Sequence, residues 1–442
     1  MLTPVRSQGE ADPGRRPAWR RPRIRAACLR AALRDALPAV AVFVGIRVLG
    51  LLALVLLARA RGIDGLARLD TYDAPRLLEI AAHGYDPLGP FDAAGRELES
   101  NIAFFPLYPL AVRLVAAVPG VAVTAAGFAV TAIAGVAAAV GLDRFGRRVV
   151  VTARAPSGVA PGTANGTTES TADGSADGMA GRMAGGSALA RRGGLVLVAL
   201  WACWPHSAVL AMPYTEPLFV ALAVWSLVAL LDRRWVTSGV LALLAGATRP
   251  VGTALAAAVA LAAVAAVASD LRDRRRPSLR PVVAAVLAPI GFLGYWGWLW
   301  VRTGRPDAWF WVQAHEWHSR FDGGRFTAES VAAAATRPQA LVLVVCAAVV
   351  VASVVLLVAL VVEGAPLPVV VYTALATYTV VGADGYANSK ARFLLCAFPL
   401  VVPLARAVVR APVRTLVVLL TGLAVLSAWY NAFVLVVWTY SP

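Results

Sequence analysis

Two uncharged apolar runs, Leu341 to Val362 and Thr415 to Trp438, restrict what this chain can fold into more than any other feature. At about 1.5 Å of rise per residue, each is long enough as a helix to cross roughly 30 Å of hydrocarbon. Composition says that these runs are not isolated. Of 442 residues, 59% are hydrophobic and only 15% charged, and the mean hydropathy is +0.70. Soluble chains sit near half apolar and a quarter charged. The expected fold class is therefore an all-α polytopic integral membrane protein.

The net charge of +16 invites a nucleic-acid reading, but the placement of the cations excludes it. Arg15, Arg16, Arg20, Arg21, Arg23, Arg25, Arg30 and Arg34 precede the first apolar run. Further groups at Arg144, Arg147 and Arg148, at Arg233 and Arg234, and from Arg272 to Arg280 punctuate later ones. This is the positive-inside pattern, whose partner is anionic membrane lipid. It predicts a multi-pass protein of the cell membrane with a cytoplasmic N-terminus. The four cysteines show no zinc-ligand spacing.

Residues 1–35 are rich in Arg and Pro and are expected to form a disordered cytoplasmic tail. The transmembrane part, 36–442, is expected to be interrupted by a low-complexity, disordered cytoplasmic loop at 155–190. A first span over about 37–58 contains Arg47, which should face the bundle interior. The acidic segment of about 59–103 falls on the outer side. Within it, Ala74 to His83 has the spacing of a short amphipathic interfacial helix. Phe104 to Val118 reads as a short or re-entrant helix. Spans follow at about 121–141, 194–212 and 217–231. Residues 236–269 should form two short helices, broken at Thr248-Arg249-Pro250. The remaining spans are about 282–301, 341–362, 367–381, 393–409 and 415–438, with an outer loop at 302–340. The total is roughly ten or eleven transmembrane helices.

In this topology the candidate chemical groups collect on the outer side. Asp73 stands at the start of the amphipathic helix, where it either caps the helix or acts as a general base toward a hydroxyl. Lys390 and Arg392 lie in an outer loop and Arg249 lies at a helix break. Cations placed against the positive-inside trend suit either a phosphate ligand or snorkelling to headgroups. Glu216 can pair with Arg249 or orient a substrate hydroxyl. Trp309, Trp311 and Trp317 can stack on a sugar or anchor the chain at the interface. His315 and His318 have helical spacing but no third ligand in sequence.

Several of these residues sit in stretches that carry a resemblance. Tyr72-Asp73-Ala74, Ile80 to Tyr85 and Ala103-Phe104-Phe105-Pro106-Leu107-Tyr108-Pro109 resemble the signature of the PIG-V family of mannosyltransferases, in particular its bacterial members, within the GT-C class. Pro213 to Phe219, Thr248 to Gly252, and Arg392 with Phe398-Pro399 resemble later motifs, in the expected order. Where the family usually has Trp before the Asp, this chain has Tyr72. The resemblance implies transfer of a sugar, mannose in the family, from a polyprenyl phosphate carrier to a glycan, glycolipid or protein acceptor, with inversion. It implies Asp73 as catalytic base, and Arg249, Lys390 and Arg392 at the lipid phosphate. Glu216 would position a substrate, and Tyr85 and Phe105 would shape the site. No resident cofactor is implied, and the outer loops have no Asp-x-Asp triplet to hold a metal. The alternative from another class is a transporter or flippase of a lipid-linked sugar, which binds the same ligand without chemistry.

Overall fold

The structure is a computed structural model, which describes residues 20–86, 100–151, 175–438 and 440–441. Among these residues the protein is all-helical, without strands; its one β-bridge joins Phe321 to Ala383. By their internal contacts the residues divide into two units, 1–38 and 39–442.

Among the described residues, six helices are long and apolar enough to cross a membrane: Arg30–Ala60, Val123–Val149, Gly252–Arg272, Leu279–Thr303, Leu341–Val362 and Val413–Val436. Their outward faces carry large exposed side chains such as Val355, Val358, Val418 and Leu426. In water that surface would be costly, but lipid tails are its equal in polarity. The protein is therefore a multi-pass membrane protein. Shorter apolar helices, Leu107–Ala116, Thr215–Leu231, Trp235–Gly246 and Leu367–Val381, fill in between the long ones.

Several expected boundaries move, each for a local reason. Helix begins at Arg20, inside the segment expected to be disordered, because Ala, Leu and Arg over 20–34 are strong helix formers. Helix also begins at Ser175, inside the expected 155–190 loop, where Ala and Met recur among the glycines. The remainders of both segments, 1–19 and 155–174, lie outside the described residues, as do Asp92, Glu97 and Glu99 of the acidic loop. The expected span 121–141 continues to Val149, since Asp143 is paired with Arg147 one turn on. The expected span 194–212 ends at Ala202, just before Pro205, and leaves a short 3-10 turn at Ser207–Ala211. The expected span 393–409 is two pieces, Ala387–Leu394 and Phe398–Val408, bent by 77° where Pro399 and Pro403 remove backbone donors.

Arg47 shows how these breaks are stabilised. Its guanidinium donates to the carbonyls of Ala202 and Ser207, the latter at 2.5 Å, and to Ser207 Oγ at 3.2 Å. The carbonyl at the end of a helix has no partner in its own ladder, so this partly buried cation satisfies acceptors that the break releases. Arg406 does the same at the end of helix Val123–Val149. It donates to the Val149 carbonyl through Nε at 3.1 Å, and to Glu363 at 2.8 Å. Close packing also depends on small residues: a methyl group added at Gly291 would overlap the carbonyl oxygen of Leu243 on the facing helix.

The helix expected to lie in the interface, Asp73–His83, turns its apolar face toward protein. Leu77, Leu78 and Ala81 pack against Tyr108, Val112, Ala126 and Val130. That packing fixes the position of Asp73 relative to the bundle.

Candidate functional site

A cavity of about 480 Å³ is lined by residues from seven regions of the chain: 72–77, 103–105, 214–215, 248–251, 309–319, 379–393 and 441. Many of the polar side chains lining it, among them Asp73, Thr215, Arg249 and Lys390, come from a helix end or a break, where backbone departs from the helical ladder. Irregular backbone inside a membrane protein is tolerated where it is buried in protein or lines a cavity.

Asp73 is the first residue of its helix, and its position is set from two sides. Tyr72, just before it, has φ +61°, a backbone state that non-glycine residues rarely adopt. The kink is held from across the cavity: the Asp73 backbone N–H donates to the Tyr214 hydroxyl at 3.1 Å, and that hydroxyl donates to the Thr71 carbonyl at 3.4 Å. A carboxylate in the first turn also sits favourably on the helix dipole.

Asp73 Oδ2 lies 2.8 Å from Arg392, whose Nε is 3.6 Å from Glu216. Glu216 in turn lies 2.9 Å from Arg249, which also donates to the Thr215 hydroxyl at 2.6 Å. Four charged groups from four distant parts of the sequence thus form one chain: Asp73, Arg392, Glu216, Arg249. Phe393 sits between the two arginines, with its ring 4.6 Å from the Arg392 guanidinium carbon and 5.7 Å from that of Arg249. Tyr214 lies 5.3 Å from Arg392. Aromatic faces stabilise a partly desolvated cation, so the arginines keep their positions.

The cavity surface itself is electropositive. Its charged lining is Arg76, Arg249, Lys390 and Arg392 against Asp73 and Asp384. Glu216 is fully buried and does not line it. Its place is beneath the surface, orienting two arginines, rather than at a substrate. Lys390 lines the cavity yet donates to the carbonyls of Val380 at 2.9 Å and Ala383 at 2.5 Å. It caps the end of helix Leu367–Val381 with two of its three donors.

Phe105 lines the cavity, backed by Phe292, Tyr295 and Trp309. Tyr85 does not line it. Its hydroxyl donates to the Phe104 carbonyl at 2.8 Å, and its ring packs on Tyr295 and Trp298, so it supports the aromatic wall from behind. Burial raises the Tyr85 phenol well above its ordinary range, which keeps it neutral. Among the described residues, no group of three or more His, Cys, Asp or Glu side chains is placed to hold a metal ion. His315 stacks on Trp311 at 4.5 Å, with its Nδ1 2.9 Å from the Trp311 carbonyl.

Sequence reasoning brought out the pair Glu216 and Arg249, which the structure joins. It did not find Tyr214, Thr215, Phe393, Arg76 or Gln313 as parts of the site. Tyr214 and Thr215 flank Glu216 in a tight Pro-bounded segment, and that adjacency was the available signal. Comparison with protein-family models, with curated proteins and with solved structures gave no match for this chain.

Proposed function

We propose that this protein is a glycosyltransferase of the GT-C kind, similar to the bacterial members of the PIG-V family. It transfers a sugar, mannose by that resemblance, from a polyprenyl phosphate to an acceptor hydroxyl on the extracytoplasmic face of the cell membrane. The observation that carries this reading is the meeting of Asp73, Arg249, Lys390 and Arg392 around one cavity. A carboxylate held beside an excess of cations suits a reaction that removes one proton and releases one phosphate. The reading retains roughly ten or eleven crossings, with the short apolar helices as half-spans beside the long ones.

In the proposed reaction the acceptor oxygen attacks the anomeric carbon as its proton passes to Asp73. The bond from that carbon to the phosphate oxygen breaks, and its electron pair leaves with the polyprenyl phosphate. Configuration at the anomeric carbon inverts. Arg392, Arg249 and the remaining donor of Lys390 meet the charge that develops on the leaving phosphate, in a site partly closed to water. Glu216 keeps both arginines aimed. Phe105 shapes the wall, with Tyr85 behind it. The donor is a substrate, and no resident cofactor is assigned.

The test is sugar transfer by purified protein in lipid, with polyprenyl-phosphate mannose and a membrane-glycolipid acceptor mixture, comparing wild type with Asp73→Asn. Transfer by wild type and loss of at least about a thousandfold in the variant support the assignment. Equal turnover by the variant removes Asp73 as base. Absence of transfer together with movement of the lipid donor between leaflets would replace the enzyme by the transporter.

A further inference from the structure

The cavity has two unlike sets of lining residues. The charged groups described above form one. The other is aromatic, made by Phe104 and Phe105 together with Trp309 and Trp317. Between the two indoles in sequence stands Gln313, so that Trp309, Gln313 and Trp317 follow at intervals of four residues, and all three line the cavity. Trp309 and Gln313 share one face of helix Ala308–His315, and Trp317 follows just past its end. Trp311, two residues off this register, is absent from the lining; it stacks instead on His315 and lies 5.5 Å below the Arg305 guanidinium.

The two cavity indoles are fixed by their polar edges. Trp309 Nε1 donates to the Ala103 carbonyl at 3.3 Å, and Trp317 Nε1 to the Ser100 carbonyl at 3.4 Å. Glu316 ties the same segments together by accepting from the Ser100 N–H at 2.6 Å. Phe104 packs edge-on to Trp317 at 5.3 Å, and Phe105 edge-on to Trp309 at 6.1 Å. With both N–H groups engaged, what the indoles contribute to the cavity is apolar ring surface. The Gln313 side chain differs: it has no hydrogen-bond partner among the described residues. Elsewhere Trp298, Trp300 and Trp429 are exposed on the outside of the helices, as interface anchors are. Trp309 and Trp317 are half-buried around a hollow and do not fit that role.

Rigid aromatic surface beside an uncommitted amide is chemistry for a ligand with one apolar face and a rim of hydroxyls. A pyranose ring has that form: its axial C–H groups lie against an aromatic ring, and its hydroxyls take the amide. We propose that Trp309, Gln313 and Trp317 form a pyranose-binding subsite in the same cavity as the charged groups. The use made of the bound sugar rests on the transferase reading; the binding itself does not. The ring could come from the acceptor glycan or from the sugar being transferred, and the experiment separates these.

The experiment is saturation-transfer NMR of methyl mannopyranoside, glucopyranoside and galactopyranoside with the purified full chain in lipid nanodiscs. Wild type should give a ring-proton signal with at least one of the three. Trp309→Ala, Trp317→Ala and Gln313→Ala should weaken binding, the first two about tenfold, whereas Trp309→Phe should keep most of it. Trp311→Ala, off the cavity, should bind like wild type. No signal from wild type, or equal binding by both Trp-to-Ala variants of unchanged thermal stability, overturns the subsite. In the transfer assay, a raised KM for the acceptor in Trp309→Ala assigns the subsite to the acceptor, and a raised KM for the lipid donor assigns it to the transferred sugar. Sugar binding that the variants lose, in a protein without transfer activity, leaves the subsite standing and rejects the transferase.

Discussion

Replacing Glu216 by Gln separates burial from distance as the source of an ion pair's worth. The Glu216–Arg249 and Arg325–Glu329 pairs have the same separation, 2.9 Å. Glu216 is fully buried and the Arg249 side chain is 17% exposed, whereas Arg325 and Glu329 are 82% and 63% exposed. Coulomb attraction at one distance grows as water is removed, and so does the cost of leaving either partner alone. Removing one member of a buried pair costs about 3–5 kcal/mol. Glu216→Gln falls toward the lower end, about 3 kcal/mol, because Arg392 keeps Asp73 and Arg249 keeps the Thr215 hydroxyl. Glu329→Gln should leave stability unchanged within error, since exposed helix pairs are screened. The measurement is denaturant-induced unfolding of both variants in the same detergent, with Glu216→Gln/Arg249→Met completing a double-mutant cycle. The double variant should recover part of the loss, because no charge is then stranded. Equal effects at 216 and 329, or a double variant as unstable as the sum of the singles, would refute the reasoning.

Three further outcomes follow from the geometry. Arg47→Leu strips donors from the Ala202 and Ser207 carbonyls and should cost about 2–4 kcal/mol, read as a lower midpoint of thermal unfolding with the apolar helix length unchanged. Tyr214→Phe removes the hydroxyl that accepts from Asp73 and should lower kcat for transfer by about tenfold with little change in donor KM, measured in the assay of Asp73→Asn. Asp322 accepts the backbone N–H groups of Phe326 at 2.7 Å and Gly324 at 2.8 Å. The Phe326 N–H, then the Gly324 N–H and the nearby Lys390 charge hold its carboxyl below the ordinary 3.8. A depressed carboxylate stabilises above its unfolded value, and that contribution fades as pH falls through the lower, folded value. Hydrogen-exchange protection at the start of helix Arg325–Thr336, taken relative to the intrinsic rate at each pH, should therefore fall below about pH 4, and Asp322→Asn should abolish that pH dependence of protection.

What the sequence conveyed best was whatever physics keeps local. Helices Leu341–Val362 and Leu367–Val381 match expectation to the residue because charge, glycine and Pro366 bound them. The break at Thr248-Arg249-Pro250 followed from proline alone. Helix Val123–Val149 runs past the expected end at 141, carrying Asp143 inside it paired with Arg147 one turn on, a pairing that charge at loop-like spacing does not announce. The bend after Leu394 depends on how two prolines are accommodated by neighbours. In the site, Glu216 and Arg249 could be matched by their charges. The contact of Asp73 with Arg392 could not, since it depends on packing along most of the chain. Nor could the sorting of Trp309 and Trp317 from Trp311, which requires knowing which face of a short helix meets a hollow.

The assembly of the site from helix ends also bears on how the protein is made. Asp73 enters the membrane system early in synthesis, and Arg392 follows only after more than three hundred further residues. Until then the carboxylate lacks its Arg392 partner, and the arginine of the Thr248-Arg249-Pro250 break holds only one side of Glu216. The pocket therefore closes as one of the last steps of insertion. A chain stalled or truncated before the Ala387–Leu394 segment would hold most of its spans and yet lack the arginine that meets Asp73. Under the proposed function, competence is thus tied to completion, and a half-built copy would sit in the bilayer without a finished phosphate site.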